Sequence, residues 1–570
     1  MMMDRGAMKE SITTSNGAIE VICENTARRY SVLPGMTLLE FCKSQQIDLP
    51  YPVLGAMVNH RLRDLRLRLL IPVTVEFIDI THAAGIRMYT RSLFFLLQRA
   101  VREVMPSCRL RVSHSVSRGY YCVISGYEQP IEYPLIFSIL EKMREFIGRD
   151  LPFESKRMTT EEAIAIFEQQ GDPEKVRLLQ SRPKLYTTLY VLDGVYDYYL
   201  EGLVPSTGYL ERFDLVKYYQ GMLLRVPQQK SPESLEELEI QDKMFEIFRE
   251  YQDWVEVLGI KDAGTINLRV RKGEGGDLVK VSEALHEKKV AQIADTIHSR
   301  GDLIRLILIA GPSSSGKTTF SKRLAVQLQV AGLRPHTLSL DNYFVNRENT
   351  PRDEKGDYDF ESLDALDVAK FNDDLLALMA GERIELPKFS FERGERYFDG
   401  SFLQLEPNGI LVVEGIHGLN PLLTDRIPRE RKFKIYISAL TSISLDGQSR
   451  IASSDNRLLR RMVRDQRYRS YGAIQTIRRW GSVRRGEDKN IFPYQEEADI
   501  MFNSALPYEF GVLKQFAEPI LNEVPDSVPE YSEAVRLLRF LRVFSPIGLE
   551  EIPPTSILRE FLGGSSFSYR

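Results

Sequence analysis

The segment that most constrains this chain is Gly311-Pro312-Ser313-Ser314-Ser315-Gly316-Lys317-Thr318. It fits G-x-x-x-x-G-K-[ST] at every defined position. The continuous apolar run LIRLILIAG leads into it, and helical spacing over Thr319–Gln329 follows it. Strand, glycine-rich turn and helix start in that order make a cradle for phosphate. The glycines let backbone close round an oxygen-rich ligand, and successive N–H groups plus the helix N-terminus supply fixed positive potential. A Gly/Ser turn that matches by accident is the competing reading, and both flanks count against it. Gly311, Ser313, Ser314, Ser315, Gly316, Lys317, Thr318 and Thr319 are therefore the expected phosphate-binding set. Lys317 would reach the β/γ-phosphates and the Thr318 hydroxyl would face Mg²⁺. ATP or another nucleoside triphosphate, with Mg²⁺, is the expected cofactor pair.

From Leu303 onward the texture is α/β. LIRLILIAG and GILVVEG are short apolar runs closed by glycine, as strands buried on both faces of a parallel sheet require. A doubly wound parallel sheet, with ligands beyond the C-terminal strand ends, is the expected architecture. Two acids stand at such ends. Asp341 follows the short strand His336–Leu340, 24 residues after Lys317, and is placed to accept a proton from an attacking hydroxyl. Glu414 closes GILVVE and would reach the metal beside Thr318. Asp341 and Lys317 are the expected catalytic pair. A guanine-reading NKxD motif is missing, and the nearest DxxG, Asp353–Gly356, lies in a polar stretch, which argues against a GTPase.

The chain has 570 residues, room for roughly three to four domains. With 43% hydrophobic and 27% charged residues it is globular rather than disordered. Its four cysteines, Cys23, Cys42, Cys108 and Cys122, lack CxxC spacing, so no disulfide or zinc framework is expected and a reducing compartment is. The opening MMMDRGAMKESITTSNG has no apolar leader segment, and no run reaches the ~18 residues of a membrane span. A cytoplasmic chain without membrane contact is expected.

The formal charge of −4 excludes a global basic field, but it conceals a local one. Over residues 450–489, 11 Arg and 1 Lys stand against 4 acids, a local +8 that leaves −12 for the remainder. Arg457, Arg460, Arg461 and Arg464 follow i, i+3, i+4, i+7 spacing and share one helical face. Three uses compete for it: a phosphate-covering lid, an RNA-contacting stripe extended by Arg478, Arg479, Arg484 and Arg485, or a solvated face with local acidic partners.

GPSSSGKTT, SLDNYF, ILVVEGIHGL and DNRLLRRMVRD, in that order and spacing, resemble the uridine/cytidine kinase branch of the phosphoribulokinase/uridine kinase family. The resemblance implies transfer of a nucleotide γ-phosphoryl to a substrate hydroxyl, with Mg²⁺ and the aspartate matching Asp341. It also implies a metal role for Glu414 and an acceptor site at Tyr343, Phe344, Glu361 and Phe389. The lid arginines it implies are Arg457, Arg460, Arg461, Arg464 and Arg469. The small-molecule acceptor would be a nucleoside. Two segments depart from the family pattern. The acid of its FDHPDAFD-like segment is Glu361, one methylene longer. In Phe389-Ser390-Phe391-Glu392-Arg393-Gly394, the base-reading tyrosine and histidine have become Phe389 and Gly394.

The front of the chain reads as two α+β modules. Residues 18–86 alternate strand and helix signals with Thr37 as helix N-cap. With VLGAMVNHRLRDL and VEFID, this part resembles a TGS β-grasp module. Residues 87–227, with Leu93, Leu96, Leu97, Ala100, Val101 and Val104 at helical spacing, resemble the editing domain of threonyl-tRNA synthetase, most clearly at Val204–Gly208. The metal-capable positions of that domain fall on Arg91, Phe95, Tyr199 and Leu203, so its editing chemistry is expected to be lost. His114, alone inside a strand pair, reads as structural.

The expected division is thus a tail (1–17), these two modules, a helical connector (228–300), a phosphate-loop kinase domain (301–505) and a C-terminal extension (506–570). The connector combines a charged helix over SPESLEELEIQDKMFEIFREYQDWVEVLG with a KGEGG linker (272–276). The extension is expected to pack on the kinase and shows no chemistry of its own. Two functions follow. The first is an ATP- and Mg²⁺-dependent kinase. The second is an RNA- or tRNA-associated regulatory NTPase whose front modules hold RNA.

Overall fold

A computed structural model describes residues 17–569 apart from 261, 353–355, 357 and 391. The tail over 1–16, Asp353 of the DxxG segment and Phe391 of the acceptor segment lie outside the described residues. The chain divides into two compact units.

The first unit comprises residues 1–239 with 446–449 and 524–540. It opens with β1 (Ile19–Cys23), β2 (Arg28–Val32), α1 (Leu38–Ser44), β3 (Gly55–Val58), β4 (Arg61–Arg63) and β5 (Val73–Ile78). The sheet order is β2-β1-β5-β3-β4, with only β1 and β5 parallel, and α1 buries Leu38 and Phe41 against Val21, Val75 and Phe77. Thr37 caps α1 as its sequence suggests: Thr37 Oγ1 accepts from Glu40 N–H at 3.2 Å, and Thr37 N–H donates back to Glu40 at 2.7 Å.

There follow α2 (Ala83–Val104), β6 (Arg109–Val116), β7 (Gly119–Ser125), α3 (Tyr133–Gly148), β8 (Glu154–Thr159), α4 (Thr160–Gln170), α5 (Pro173–Gln180), β9 (Tyr186–Leu192), β10 (Val195–Asp197), β11 (Asp214–Tyr218) and β12 (Gly221–Arg225). They build an antiparallel sheet β11-β12-β7-β6 and a smaller one, β10-β9-β8. Ser117 and Arg118 turn β6 into β7 with φ of +49° and +54°, the left-handed pair a two-residue hairpin needs. Leu93, Leu96, Leu97, Ala100 and Val101 form the buried stripe of α2. His114 is buried and packs its ring 5.1 Å from that of Tyr121. Residues 446–449 are stitched in by Val112 N–H to Gly447 O at 2.9 Å and by Lys175, whose buried ammonium sits between Asp197 and Asp446. All four cysteines are buried and free.

The second unit comprises residues 240–445, 450–523 and 541–570. Its elements begin with α6 (Asp242–Val257), α7 (Ala263–Arg271), α8 (Gly275–Ser299), β13 (Leu306–Ala310), α9 (Lys317–Val330), β14 (Arg334–Ser339) and α10 (Val368–Met379). They continue with β15 (Ile384–Ser390), β16 (Glu395–Leu403), β17 (Gly409–Glu414), β18 (Lys432–Ser438), α11 (Ser453–Tyr468), α12 (Ala473–Asn490), β19 (Ile500–Asn503) and α13 (Glu509–Asn522). Helix α14 (Tyr531–Leu541), nearly all of it in the first unit, precedes α15 (Arg559–Leu562).

The sheet runs β14-β17-β13-β18-β19 and every pairing is parallel. The central strands β13 and β17 are buried and apolar up to Glu414 because both faces of the sheet are covered there. Ile307, Ile309, Val412 and Ile435 pack with Phe320 of α9 and Ile293 of α8, while Leu306, Leu308, Leu411 and Val413 pack with Phe371 and Leu375 of α10. Strands β15 and β16 form a separate hairpin.

Three local expectations are corrected. The charged helix expected from Ser231 begins only at Asp242: Leu238 and Ile240 are exposed, whereas Met244, Phe245, Ile247 and Phe248 give the later part a buried face. The KGEGG stretch is no linker, since Gly275 and Gly276 open α8 and only Lys272–Glu274 separate it from α7. The C-terminal extension is divided, with 524–540 grouped in the first unit and 541–570 in the second. Among the described residues, no helix is long and apolar enough to cross a membrane.

Candidate functional site

The phosphate loop joins β13 to α9, and its two glycines are sterically required. A Cβ on Gly311 would lie 1.9 Å from Ile437 O; Gly316 has φ +86°, and a Cβ there would meet Ile557 at 2.6 Å. Because α9 starts at Lys317, the N–H groups of Lys317, Thr318 and Thr319 belong to the first turn, where helix geometry offers them no partner. The Ser314 and Ser315 hydroxyls are buried without a partner among the described residues. Lys317 Nζ is parked on the loop itself, donating to Gly311 O at 2.9 Å and Pro312 O at 3.2 Å.

Parallel register brings the acids to this loop. Ser339 of β14 pairs with Glu414 of β17, and Asp341 sits in the 3₁₀ turn Leu340–Tyr343 just beyond. Glu414 Oε1 accepts from Ser339 Oγ at 3.2 Å and Thr318 Oγ1 at 3.4 Å. Burial, and then the Asp341 carboxylate, push the Glu414 carboxyl up to about 7, against the pull of Lys317. Asp341 opens onto the cleft, where water reaches its carboxyl, yet the surrounding walls still displace enough solvent to raise its proton affinity; Lys317, Arg469 and Arg464 oppose that rise. Two carboxyls and a hydroxyl form an all-oxygen set suited to a hard divalent cation, and such a cation would relieve the crowding of like charge that lifts Glu414.

The expected acceptor residues separate into two groups. Burial and then Glu487 push the Glu361 carboxyl up to about 7, while Arg461 and Lys317 oppose. Its stem lies against α12 where Gly486 leaves room; a Cβ on Gly486 would be 2.6 Å from it. Phe344 packs 5.5 Å from Phe389 and 6.3 Å from Phe360, centroid to centroid. Tyr343 is not at the cleft: it is fully buried, donates to Asp374 at 3.0 Å and packs edge-on against Phe371.

The arginine face of α11 is also divided. Arg461 Nη1 donates to Ser313 Oγ at 2.9 Å, and Arg464 is held down to about 10 by burial and by neighbouring Arg469. Arg469 pairs with Asp465 at 3.2 Å. Arg457 reaches the loop at Ser313 O, 3.1 Å, but is neutralised by Glu487 at 2.8 Å. Arg460 is turned away altogether, fully buried on Glu509 at 2.7 Å and Ser504 O at 2.8 Å. Its place in the lid set is therefore corrected to a place in the framework.

Two carboxylates at the loop carry no motif. Glu487 of α12 accepts from Ser313 N–H at 2.9 Å, and Glu560 of α15 accepts from Thr319 N–H at 3.1 Å and Thr319 Oγ1 at 2.7 Å. The only sequence signal for Glu487 is Arg484 three residues before it; Glu560 has none.

In the first unit, the positions matching editing-domain metal ligands hold a plug. Phe95 and Leu203 are fully buried, Phe95 lies 5.8 Å from the Tyr199 ring, and Arg91 pairs with Glu201 at 2.9 Å.

A phosphate loop on a five-stranded parallel sheet, with paired acids at adjacent strand ends and arginines overhead, defines a kinase-type phosphotransferase domain. Residues 306–507 match the family described as Phosphoribulokinase / Uridine kinase, so the second half of the chain carries a domain of that family. The first part matches threonine--tRNA ligases. That of Desulforamulus reducens is 29% identical over 203 residues, 35% of this chain and 32% of the relative. That of Methylococcus capsulatus is 29% identical over 191 residues, 33% of this chain and 30% of the relative. The chain thus spans about a third of the length of these curated relatives. Among solved structures, a possible uridine kinase from Bacillus stearothermophilus is 19% identical, covering 38% of this chain and 98% of that one with a TM-score of 0.26. The D-glycerate 3-kinase of Cryptococcus neoformans is 15% identical, covering 44% and 87% with a TM-score of 0.20.

Proposed function

We propose that the chain transfers the γ-phosphoryl group of ATP, with Mg²⁺, to a hydroxyl of a nucleoside or a related small molecule. The observation that carries this reading is the meeting of Asp341, Glu414, Lys317 and Thr318 at one strand-end cleft. Glu414 touches Thr318 at 3.4 Å, and the charges of Asp341 and Lys317 both act on Glu414.

Each group has a task in that reaction. Lys317 leaves the loop carbonyls and follows the β/γ-phosphates. Asp341 takes the proton of the attacking hydroxyl as the new O–P bond forms and the bond to the β-phosphate oxygen breaks, releasing ADP. Arg461, Arg464 and Arg469 neutralise charge gathering on the transferred group. Thr318 and Glu414 would hold Mg²⁺, which when bound screens the phosphate oxygens. Glu361 and the Phe344–Phe389 wall would receive the acceptor. Phe389 and Gly394 give the site no side-chain hydrogen bonds of their own with which to select one base, so a broad acceptor range is expected.

The test is incubation with ATP, Mg²⁺ and a panel of nucleosides, sugars and pantothenate, with detection of a phosphorylated acceptor. A second reading, an RNA-associated regulatory NTPase, draws on the likeness of the first part to threonine--tRNA ligases. Phosphate release that requires RNA, with no phosphorylated acceptor, would favour it. Salt-sensitive binding of tRNA by the full chain would support RNA contact in either case.

A further inference from the structure

The first turn of α9 is where a phosphate would take up N–H groups, yet one of those groups is already bound to an anion of the chain. Glu560 Oε2 accepts from both Thr319 N–H and Thr319 Oγ1, at 3.1 Å and 2.7 Å, and the Tyr569 hydroxyl lies 3.0 Å from the same Oγ1. The carboxylate is anchored. Ile557 and Phe561 on either side of it are fully buried in the core that contains Phe320 and Leu324 of α9. Phe561 also lies 5.3 Å under the Arg460 guanidinium. Ile557 presses on Gly316 so closely that a Cβ there would clash. The backbone that carries Glu560 is therefore held in place, and its carboxylate rests at the positive end of α9, where an oxygen of a bound polyphosphate chain would compete for the same donors.

We propose that Glu560 sets the affinity of the phosphate loop for its nucleoside triphosphate. The carboxylate competes with the phosphate chain for the Thr319 donors, so nucleotide binds by displacing it. The proposal rests on the reading of this loop as a nucleotide site. A carboxylate serving only as a helix cap would hold α9 together and leave nucleotide affinity unchanged or better than without it.

The two roles separate in calorimetric titration of the full chain with Mg-ATP, using wild type, Glu560→Gln and Glu560→Asp, with melting curves to verify folding. The glutamine removes the charge. The aspartate keeps it but draws it back from Thr319, and serves if the glutamine variant does not fold. Tenfold or greater tightening of Mg-ATP in Glu560→Gln, with smaller tightening in Glu560→Asp, is expected. Inorganic pyrophosphate, short enough to rest on the Gly316–Thr318 N–H groups without Thr319, meets only the field of the carboxylate and should gain less than Mg-ATP from either substitution. Folded variants that bind Mg-ATP no more tightly than a wild type that does bind it overturn the role of Glu560 and leave the nucleotide site standing. Failure of wild type and variants alike to bind Mg-ATP overturns both.

Discussion

Replacing Arg460 with alanine should destabilise the second unit rather than disarm its site. The guanidinium is fully buried, donates to Glu509 through Nε at 2.8 Å and Nη2 at 2.7 Å, and gives another bond to Ser504 O at 2.8 Å. Among the described residues, alanine leaves the buried Glu509 carboxylate with only Asn456 Nδ2 at 2.7 Å and Leu506 N–H at 3.0 Å, and no positive partner. Removing one member of a buried ion pair costs about 3–5 kcal/mol, because the survivor keeps its desolvation penalty. For a unit of this size, a loss of that order lowers Tm by roughly 5–10 °C. Differential scanning calorimetry of the full chain would read the drop in the transition belonging to the second unit. Arg460→Met with Glu509→Gln should recover most of it, because the uncompensated charge is gone. Below the lowered transition, Mg-ATP affinity should stay within a factor of about two of wild type. An Arg460→Ala variant that melts with wild type but loses nucleotide affinity or turnover would refute this placement and return Arg460 to the lid.

Two further outcomes follow from the site. Gly311→Ala should abolish Mg-ATP binding in calorimetry, since its Cβ would fall 1.9 Å from a backbone oxygen of β18 and the loop must shift; undiminished binding would mean the loop is not formed as described. Burial and then Glu487 push the Glu361 carboxyl up to about 7 from its ordinary 4.5, so between those pH values the folded chain holds a proton that the unfolded chain has released. Its contribution to stability is therefore present at low pH and is lost as pH rises from about 4.5 to about 7. Melting curves at pH 5 and 7.5 should show a smaller loss in Glu361→Gln than in wild type, and equal losses would place Glu361 in a solvated setting.

The parts of this architecture that were legible in the sequence depend on local rules. A glycine-closed apolar run reads as a buried strand because both faces of the sheet are covered, and Gly311 and Gly316 read as a loop because no other residue fits there. The Thr37 cap is local in the same sense. The arginine face was only half legible. Helical spacing puts Arg457, Arg460, Arg461 and Arg464 on one side of α11, but it does not say what lies opposite. Arg460 meets Glu509, while Arg461 meets Ser313. Tyr343 was misplaced for a similar reason, since a motif match gives a residue's position in the chain but not the direction of its side chain. Glu560 was invisible because its contact with Thr319 spans 241 residues and is made by the burial of Ile557 and Phe561, which carry no motif.

In the proposed reaction Asp341 takes the acceptor proton during phosphoryl transfer. The most direct measurement is single-turnover transfer from γ-labelled ATP to the acceptor found in the panel, comparing wild type with Asp341→Asn under saturating Mg-ATP. Asp341→Asn should bind Mg-ATP within a few-fold of wild type and form labelled product at least ~10²-fold more slowly, in line with the usual contribution of a positioned base. Product formed at the wild-type rate would contradict that role.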